Sequence, residues 1–379
     1  MITSASSTCR QTVVTLTILN TFARSDTEKT PMDMLTHTQQ FLTIAWWLAF
    51  GISVLLYIAL DGADLGAGIF SLFVKDHDER GAIMAAMAGT WDANETWLIV
   101  AGGIMFGTFP FVYGSAFSYL MVPMALVLWG IMSRAVALEF RHLASPFWQR
   151  FSDHVFGIAS LAVTFFGGMC VGAVLQGFAL DTPAHGVPHY AGGAFNFISA
   201  FSIWTGIASC VAMTFSGVLF VRARFEKSEP IRQDAARWTA TIFWLAIAAV
   251  VITWVWSAAI FDWARAKWFG PHFWVWGLFG LIALYCIEQV RRDTLKDKDV
   301  AAIMWFNGAA LILGFGMLIS MFPWLVPGTW TIWAGASPQV SLITFTLTMG
   351  GFVPVMIMYN WYQIWVFRGR ISKLVGYGH

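Results

Sequence analysis

Charged residues are scarce in this chain of 379 residues, since only 11% are Asp, Glu, Lys or Arg. Soluble domains carry about 25% charged residues, and 58% of this chain is hydrophobic, so an ordinary soluble domain is excluded. The formal net charge of +1 gives no basic surface for a nucleic acid. Cysteine is also rare, with four residues and no CxxC spacing, so neither a disulfide framework nor a metal site is indicated.

Histidine is missing from the middle of the long apolar runs. All eight histidines lie in tails, loops or segment ends: His37, His77, His142, His154, His185, His189, His272 and His379. Membrane haems are usually held by histidine from within helices, sometimes with Met as an axial ligand. The 17 methionines leave the second route open, but Met in a membrane helix more often serves packing. No dinucleotide or P-loop motif is present, so we expect no redox cofactor bound by this chain alone.

Long apolar runs are what the chain has in abundance. Runs of about 20 residues span a bilayer as helices, and nine segments of this kind are predicted. They lie near 41–74, 81–109, 114–134, 154–179, 195–221, 237–260, 272–290, 301–326 and 339–367. The sequence therefore predicts an all-α, polytopic membrane protein with nine transmembrane helices. We expect them as two four-helix bundles plus one helix, although no internal repeat supports that division.

The basic residues predict the orientation of these segments. Of the 22 Lys and Arg residues, 17 follow the first, third, fifth, seventh and ninth segments. The loops at the other end contain only Arg265 and Lys267, apart from three basic residues in the N-terminal tail. Because cytoplasmic loops of membrane proteins are enriched in Lys and Arg, we expect the N-terminus outside and the C-terminus in the cytoplasm.

The N-terminal tail differs in composition from the rest of the chain. It is rich in Ser and Thr, and its one apolar patch, Val13–Leu19, is too short to span a bilayer. Met32 or Met34 would make a natural start. We therefore interpret 1–40 as a disordered extension or a misassigned start, 41–370 as a single transmembrane domain, and 371–379 as a cytoplasmic tail.

Four carboxylates interrupt the first two apolar segments. Asp61 and Asp64 lie in the first, and Asp92 and Glu95 lie in the second. An ionised carboxylate at mid-bilayer costs roughly 2.5–3.5 kcal/mol on insertion scales. Such residues usually face a water-filled or proton-carrying site, so they are the main sequence indication of function.

The two acidic pairs are predicted to meet. A short loop joins the first two segments, and counting along the helices at about 1.5 Å per residue places both pairs roughly 15–21 Å deep. Each pair has i, i+3 spacing, which puts its members on one helical face. Like charges this close cannot all stay ionised in a low dielectric. We therefore predict a proton pathway through Asp61, Asp64, Asp92 and Glu95, with Asp61 and Asp92 as the better candidates.

A structural role is the alternative for these acids. They could instead satisfy hydrogen bonds with Asn94 or the backbone and hold the helical hairpin together. Trp91 and Trp97 bracket the second pair and are expected to wall it off from lipid. At the end of the third segment, Arg134, Glu139 and Arg141 are interpreted as a solvated interfacial ion-pair group.

Several motifs resemble the subunit II family of cytochrome bd-type quinol oxidases. The acidic motifs Leu60–Gly68 and Trp91–Leu98 resemble its first two helices, and Ala101–Tyr113 continues the similarity. Further similarity is found in Phe322–Pro327 before the last helix and in the last helix itself, where Pro354, Tyr359, Trp361 and Arg368-Gly-Arg370 match. The resemblance runs from about residue 40 to 370. Gly328 departs from it, since the family commonly has serine there.

The resemblance implies a haem-free subunit in a bacterial inner membrane, paired with a subunit I that carries b-type and d-type (or variant) haems. The pair would oxidise quinol and reduce O2 to water with cytoplasmic protons, as an electrogenic quinol oxidase of the bd or cyanide-insensitive type. It also implies that Asp61, Asp64 and Asp92 affect the haem environment and proton delivery. A small single-helix subunit and a structural quinone or lipid are further expectations.

Two rival functions remain open at this level. Buried acids and glycine-interrupted helices also suit a proton-coupled secondary transporter, although the odd number of predicted helices disfavours it. The other rival is a purely structural scaffold for the haem subunit.

Overall fold

The chain folds almost entirely as helices. In this computed structural model the described residues are 35–183, 187–366 and 369. The helices are α1 (His37–Ser71), α2 (His77–Met87), α3 (Trp91–Thr108), α4 (Pro110–Tyr119), α5 (Met121–Phe140), α6 (Pro146–Gln176), α7 (Ala200–Arg224), α8 (Pro230–Ile260), α9 (Asp262–Trp268), α10 (Phe273–Leu295), α11 (Asp299–Met321), α12 (Ile332–Gly335), α13 (Gln339–Met349) and α14 (Phe352–Val366). A 3-10 turn, Arg141–Leu143, follows α5. Two short antiparallel hairpins pair β1 (Leu180–Asp181) with β2 (His189–Tyr190) and β3 (Trp324–Val326) with β4 (Trp330–Thr331).

Eight helical segments in the described part of the chain are long and apolar enough to cross a membrane. They are His37–Ser71, Met121–Leu143, Pro146–Gln176, Ala200–Arg224, Pro230–Ile260, Phe273–Leu295, Asp299–Met321 and Gln339–Gln363. The all-α, polytopic class predicted from the sequence is therefore confirmed. The first span begins at His37, four residues before the predicted transmembrane domain. The predicted tail 371–379 and most of the predicted extension 1–40 lie outside the described residues.

The second predicted span, 81–109, is divided in the structure. It forms α2 and α3, which are separated by a break at 88–90 and are not among the eight spanning segments. Gly89 lies in this break, where glycine costs about 1 kcal/mol relative to alanine in a helix. The Gln363 side-chain amide donates to the Gly89 carbonyl at 2.6 Å, so α14 satisfies a backbone group that the break leaves open. The prediction of nine spans is thus not confirmed.

Helix α1 is the centre of the packing. It contacts α3, α6, α7 and α11, whereas α10 packs mainly on α11. The tightest crossing joins α1 to α7, where a Cβ added at Gly66 would overlap the Met213 carbonyl and one at Gly217 would overlap the backbone of 66–67. Small residues at a crossing let membrane helices approach to backbone contact. The division into two bundles stays a prediction, because α1 contacts helices from both halves of the chain.

The loops separate into two ends. At one end, which we call the hairpin end, the Trp330 indole donates to the Ser115 hydroxyl at 3.0 Å and Phe178 N–H donates to the Thr329 hydroxyl at 3.1 Å. These contacts join α4 to both β-hairpins. The other end, which we call the basic end, contains the turns after α1, α5, α7 and α10. The outside and cytoplasmic assignment of the two ends stays a prediction.

A buried ion cluster fixes part of the basic end. Arg222 on α7 donates to Asp299 at 2.9 Å, and Arg232 on α8 donates to Asp299 at 2.9 Å and to Asp297 at 2.7 Å. The Arg232 guanidinium, and after it Lys227, holds the pKa of the Asp297 carboxyl below its usual range. These pairs tie α7 and α8 to the start of α11.

We expect the α1–α7 crossing to tolerate no side chain at Gly66. The Gly66→Ala change places a methyl group against main-chain atoms of α7, which cannot rotate away. Overpacking of this kind typically costs about 1–3 kcal/mol. Thermal denaturation of the purified protein should therefore show a lower midpoint. The matched control is Gly102→Ala, whose Cβ would meet nothing within 4 Å; equal midpoints for the two variants would contradict this account of the crossing.

Candidate functional site

The centre of the candidate site is a buried ion pair between α1 and α5. Arg134 Nη1 and Nη2 donate to the two carboxylate oxygens of Asp61, at 3.2 and 3.1 Å. The Asp61 residue is 0% exposed and Arg134 is 1% exposed. A fork of this geometry is the strongest arrangement that a guanidinium and a carboxylate form. It holds two charges where water cannot solvate them.

Glu95 of α3 completes the pair as a third charged group. Its Oε1 lies 3.5 Å from Arg134 Nη1, and the glutamate is buried. This oxygen makes no hydrogen bond, and neither does Arg134 Nε. The Tyr57 phenol lies beside the Asp61 carboxylate, and the Phe156 ring lies under the guanidinium, with its centroid 6.0 Å from Cζ. The site therefore contains polar atoms that its own side chains leave unsaturated.

Asp64 joins α1 to α3 one turn away from the ion pair. The Asn94 side-chain amide donates to Asp64 Oδ2 at 2.8 Å, and both residues are buried. Asp64 is seven residues before the end of α1 and Asp61 is ten, which places them roughly 10 and 15 Å along the helix from the basic end. We call Asp61, Asp64, Glu95 and Arg134 the acid cluster.

The acid cluster contains more acidic than basic side chains. Asp61 and Glu95 pair with Arg134, while Asp64 bonds to the neutral Asn94 amide, so full ionisation of these side chains would leave the four-residue cluster with a net charge of −2. Burying uncompensated charge is costly. Protons are the simplest way to offset that surplus, so the arrangement is suited to taking up and releasing them.

Asp92 lies outside the acid cluster. It is exposed on the first turn of α3, whereas Glu95, three residues later, is buried. Asp92 and Glu95 keep their i, i+3 spacing within α3, but only Glu95 is buried, so the expected burial of both acids is not met. Trp91 is partly exposed and its indole donates to Glu139 at 3.3 Å. Its expected role in shielding the acids from lipid stays a prediction.

Trp97 and Asn94 are placed to support the position of the acids. Trp97 is 1% exposed, and its indole donates to the side-chain oxygen of Asn360 on α14. Asn360 in turn donates to the Ala93 carbonyl at 3.4 Å. These bonds fix the first turns of α3, and with them the position of Glu95.

Arg134 is the site residue that the sequence analysis misassigned. It was interpreted as part of a solvated interfacial group, but it is buried against Asp61, while Glu139 is exposed. Arg141 instead pairs with Asp153 at 2.6 Å. A signal was present, because Arg134 is flanked on both sides by the apolar residues of Met121–Leu138. A basic residue inside such a run needs a buried acid as its partner.

Histidine, the usual ligand of membrane haems, lies outside the acid cluster. His154 is exposed in the third turn of α6, and the other described histidines lie at helix ends, in turns or in a β-hairpin: His37, His77, His142, His189 and His272. Within the described ranges, no three His, Cys, Asp or Glu side chains are grouped so that they could hold a metal ion.

Comparison with known proteins gives consistent matches along almost the whole chain. Residues 42–367 match the family model of cytochrome bd terminal oxidase subunit II. The chain is 26% identical to cytochrome bd-I ubiquinol oxidase subunit 2 of Escherichia coli (strain K12), over 88% of this chain and 96% of that protein. It is 25% identical to cytochrome bd ubiquinol oxidase subunit 2 of Bacillus subtilis (strain 168), over 86% of this chain and 96% of that protein.

A solved structure shows the same fold. The structure of bd oxidase from Geobacillus thermodenitrificans contains a chain that superposes with a TM-score of 0.70 at 14% sequence identity, covering 86% of this chain and 98% of that one. Together with the family match over residues 42–367, the helical architecture identifies the chain as a member of the cytochrome bd terminal oxidase subunit II family.

Proposed function

We propose that this chain is the haem-free subunit II of a bd-type quinol:oxygen oxidoreductase in a bacterial inner membrane. In this role it stabilises a haem-bearing subunit I and gives protons a route from the cytoplasm for the reduction of O2 to water. The observation that supports the route is the buried acid cluster, in which Asp61 and Glu95 pair with Arg134 and a third acid, Asp64, lies one helical turn away.

The route begins at the basic end, which we assign to the cytoplasm from its excess of Lys and Arg. From there it reaches Asp64 and then the Asp61, Arg134 and Glu95 group. Asp64 lies closer to the basic end than Asp61 by three residues of α1, roughly 4.5 Å. This order gives protons stepwise access to increasing depth.

Unsaturated polar atoms favour a relay over simple polar packing. A network that only holds helices together is most stable when every buried donor and acceptor is satisfied. Glu95 Oε1 and Arg134 Nε are buried without a hydrogen bond. In our proposal a water molecule accepts from Arg134 Nε, and a water molecule or a moving proton supplies the partner of Glu95 Oε1.

Asp92 forms the exit of the route in this proposal. It is exposed on α3, one helical turn from Glu95, at the level of an apolar surface. An acid exposed there is costly in lipid but stable against a polar partner surface. We therefore place subunit I against this part of α3, where Asp92 hands protons towards the oxygen-reducing haem.

The family match favours an oxidase subunit over a secondary transporter. The haems, quinol oxidation and O2 reduction are assigned to subunit I in this proposal, because none of the described histidines belongs to the acid cluster. A structural quinone or lipid and a small single-helix subunit remain expectations of the family resemblance.

Replacing Glu95 by Gln tests the relay directly. The amide keeps the size of the side chain but cannot carry a proton, so quinol-dependent O2 consumption by the two-subunit complex should fall at least about tenfold. The haem absorbance spectrum should stay unchanged. Glu139→Gln is the matched control, because Glu139 is exposed on α5 and lies outside the acid cluster. A Glu95→Gln complex with full activity would contradict the relay.

Asp92→Asn separates proton delivery from assembly. We expect slower quinol oxidation with the haem spectrum of the assembled complex largely intact. The measurement is O2 uptake normalised to haem content. Loss of the haems in this variant would instead mean that Asp92 serves assembly and not proton transfer.

Arg134→Met should destabilise the complex, since it leaves the Asp61 carboxylate buried without its cation. Removing one partner of a buried ion pair typically costs about 3–5 kcal/mol. The yield of intact complex and its thermal midpoint should both decrease. The double variant Arg134→Met with Asp61→Asn removes the uncompensated charge, so it should recover part of the stability. No recovery in the double variant would show that Arg134 acts through packing on Phe156 instead.

A further inference from the structure

A second group of ionisable side chains lies at the basic end, outside the acid cluster. His77, the first residue of α2, presents its ring to α6. Its Nδ1 lies 2.6 Å from Asp153 Oδ2, and its Nε2 lies 3.4 Å from Gln149 Oε1. The His77 side chain is 27% exposed, whereas that of Asp153 is fully buried. One imidazole therefore connects solvent to a buried carboxylate.

Both ring nitrogens of His77 face hydrogen-bond acceptors. Asp153 is a carboxylate, which only accepts when it is ionised. The Gln149 amide nitrogen donates to the Ala144 carbonyl at 3.1 Å, which leaves its oxygen facing the His77 ring. A neutral imidazole has one donor and one acceptor, so only the imidazolium can donate to both neighbours. The surroundings thus place an acceptor opposite each ring nitrogen.

We infer that His77 and Asp153 form a proton-loading site that feeds the acid cluster from the cytoplasm. This inference rests on the proposed function and adds its entrance. Imidazole is the side chain whose charge changes in the physiological pH range, and partial exposure lets this ring exchange protons with bulk water.

Asp153 has a cationic partner besides His77. Its Oδ1 accepts from Arg141 Nε at 2.6 Å, while its Oδ2 faces the His77 ring. Arg141 also donates to the His77 carbonyl at 3.3 Å. Arg141 therefore holds both members of the pair in place.

Further charged groups surround the α1–α2 turn. Asp76 caps α2 by accepting from the backbone of Asp78 and Glu79. Arg80 donates to the Val74 carbonyl at 2.7 Å and lies 3.2 Å from a ring nitrogen of His154. Asp76, Asp78 and Glu79 thus place three acids beside His77 at the start of α2.

Helix α6 connects this site to the acid cluster. Asp153, Phe156 and Ser160 lie at successive turns of α6 and are all buried. Ser160 packs against Gly68 of α1, one turn from Asp64, and Phe156 lies under the Arg134 guanidinium. Asp153 and Ser160 are seven residues apart, roughly 10 Å along the helix. Ordered water beside Phe156 would complete this connection.

A structural interlock is the competing explanation, because the same contacts also tie α2 to α6. Two substitutions of His77 separate the explanations. His77→Gln removes the charge and the exchangeable proton, while Asp153 keeps its bond to Arg141. His77→Arg retains a positive charge that is not released near neutral pH. If His77 loads protons, both variants should be slow. If His77 only joins α2 to α6, the arginine variant should restore that contact and the activity.

The experiment measures quinol-dependent O2 consumption by the assembled oxidase in liposomes from acidic to alkaline pH. Both variants should lose at least about threefold in rate at alkaline pH, where protons are scarce, and less at acidic pH. Haem content should be unchanged. His142→Gln is the matched control, an exposed histidine at the same end, and its pH profile should follow the unsubstituted protein. Full activity of His77→Arg across this range would overturn the inference in favour of the interlock.

A second measurement is independent of activity. Diethyl pyrocarbonate modifies neutral imidazole, so mass spectrometry should show faster modification of His77 at neutral pH in Asp153→Asn than in the unsubstituted complex. An unchanged rate would show that Asp153 does not hold His77 in its charged form, which overturns the inference. If Glu95→Gln is slow but both His77 variants are fully active, the route stands and this entrance fails. If Glu95→Gln is fully active, the route itself fails.

Discussion

The ion pair between Arg134 and Asp61 is the constraint on which the packing of α1, α3 and α5 depends. Two charges that are both almost fully buried must remain together, because separating them would leave either one unsolvated. This pair fixes the distance and rotation of α1 relative to α5, and the ion pair with Glu95 brings α3 to the same point. The site is therefore part of what holds these helices in place.

Close backbone packing and the break between α2 and α3 also help to position the helices that carry the acid cluster. Gly66 and Gly217 bring α1 against α7 without intervening side chains. The break at 88–90 lets α3 start at a new angle, and Asn360 and Gln363 of the last helix hold its first turns. Residues more than 260 positions away in sequence thus determine where Glu95 lies.

The two ionic groups of the basic end differ in exposure and in their partners. The Arg222, Arg232 and Asp299 cluster is buried and its main contacts are direct ion pairs, which suits a fixed joint between helices. The His77 and Asp153 group combines a partly exposed ring with a buried carboxylate. This difference is why the second group suits proton exchange and the first does not. Both lie at the end that carries most of the basic residues.

The sequence alone determined the membrane class, because its apolar runs and scarcity of charge leave no other solvent for the chain. It also determined which acids are costly to bury, and its motifs indicated the family. Only the tertiary structure decided which of them are buried together. Asp92 is exposed while Glu95, three residues later in α3, is buried, and the partner of Asp61 comes from α5, 73 residues away. The spacing of residues along a helix predicts which side chains lie on the same face. The packing of the helices determines which residues of another helix lie opposite that face.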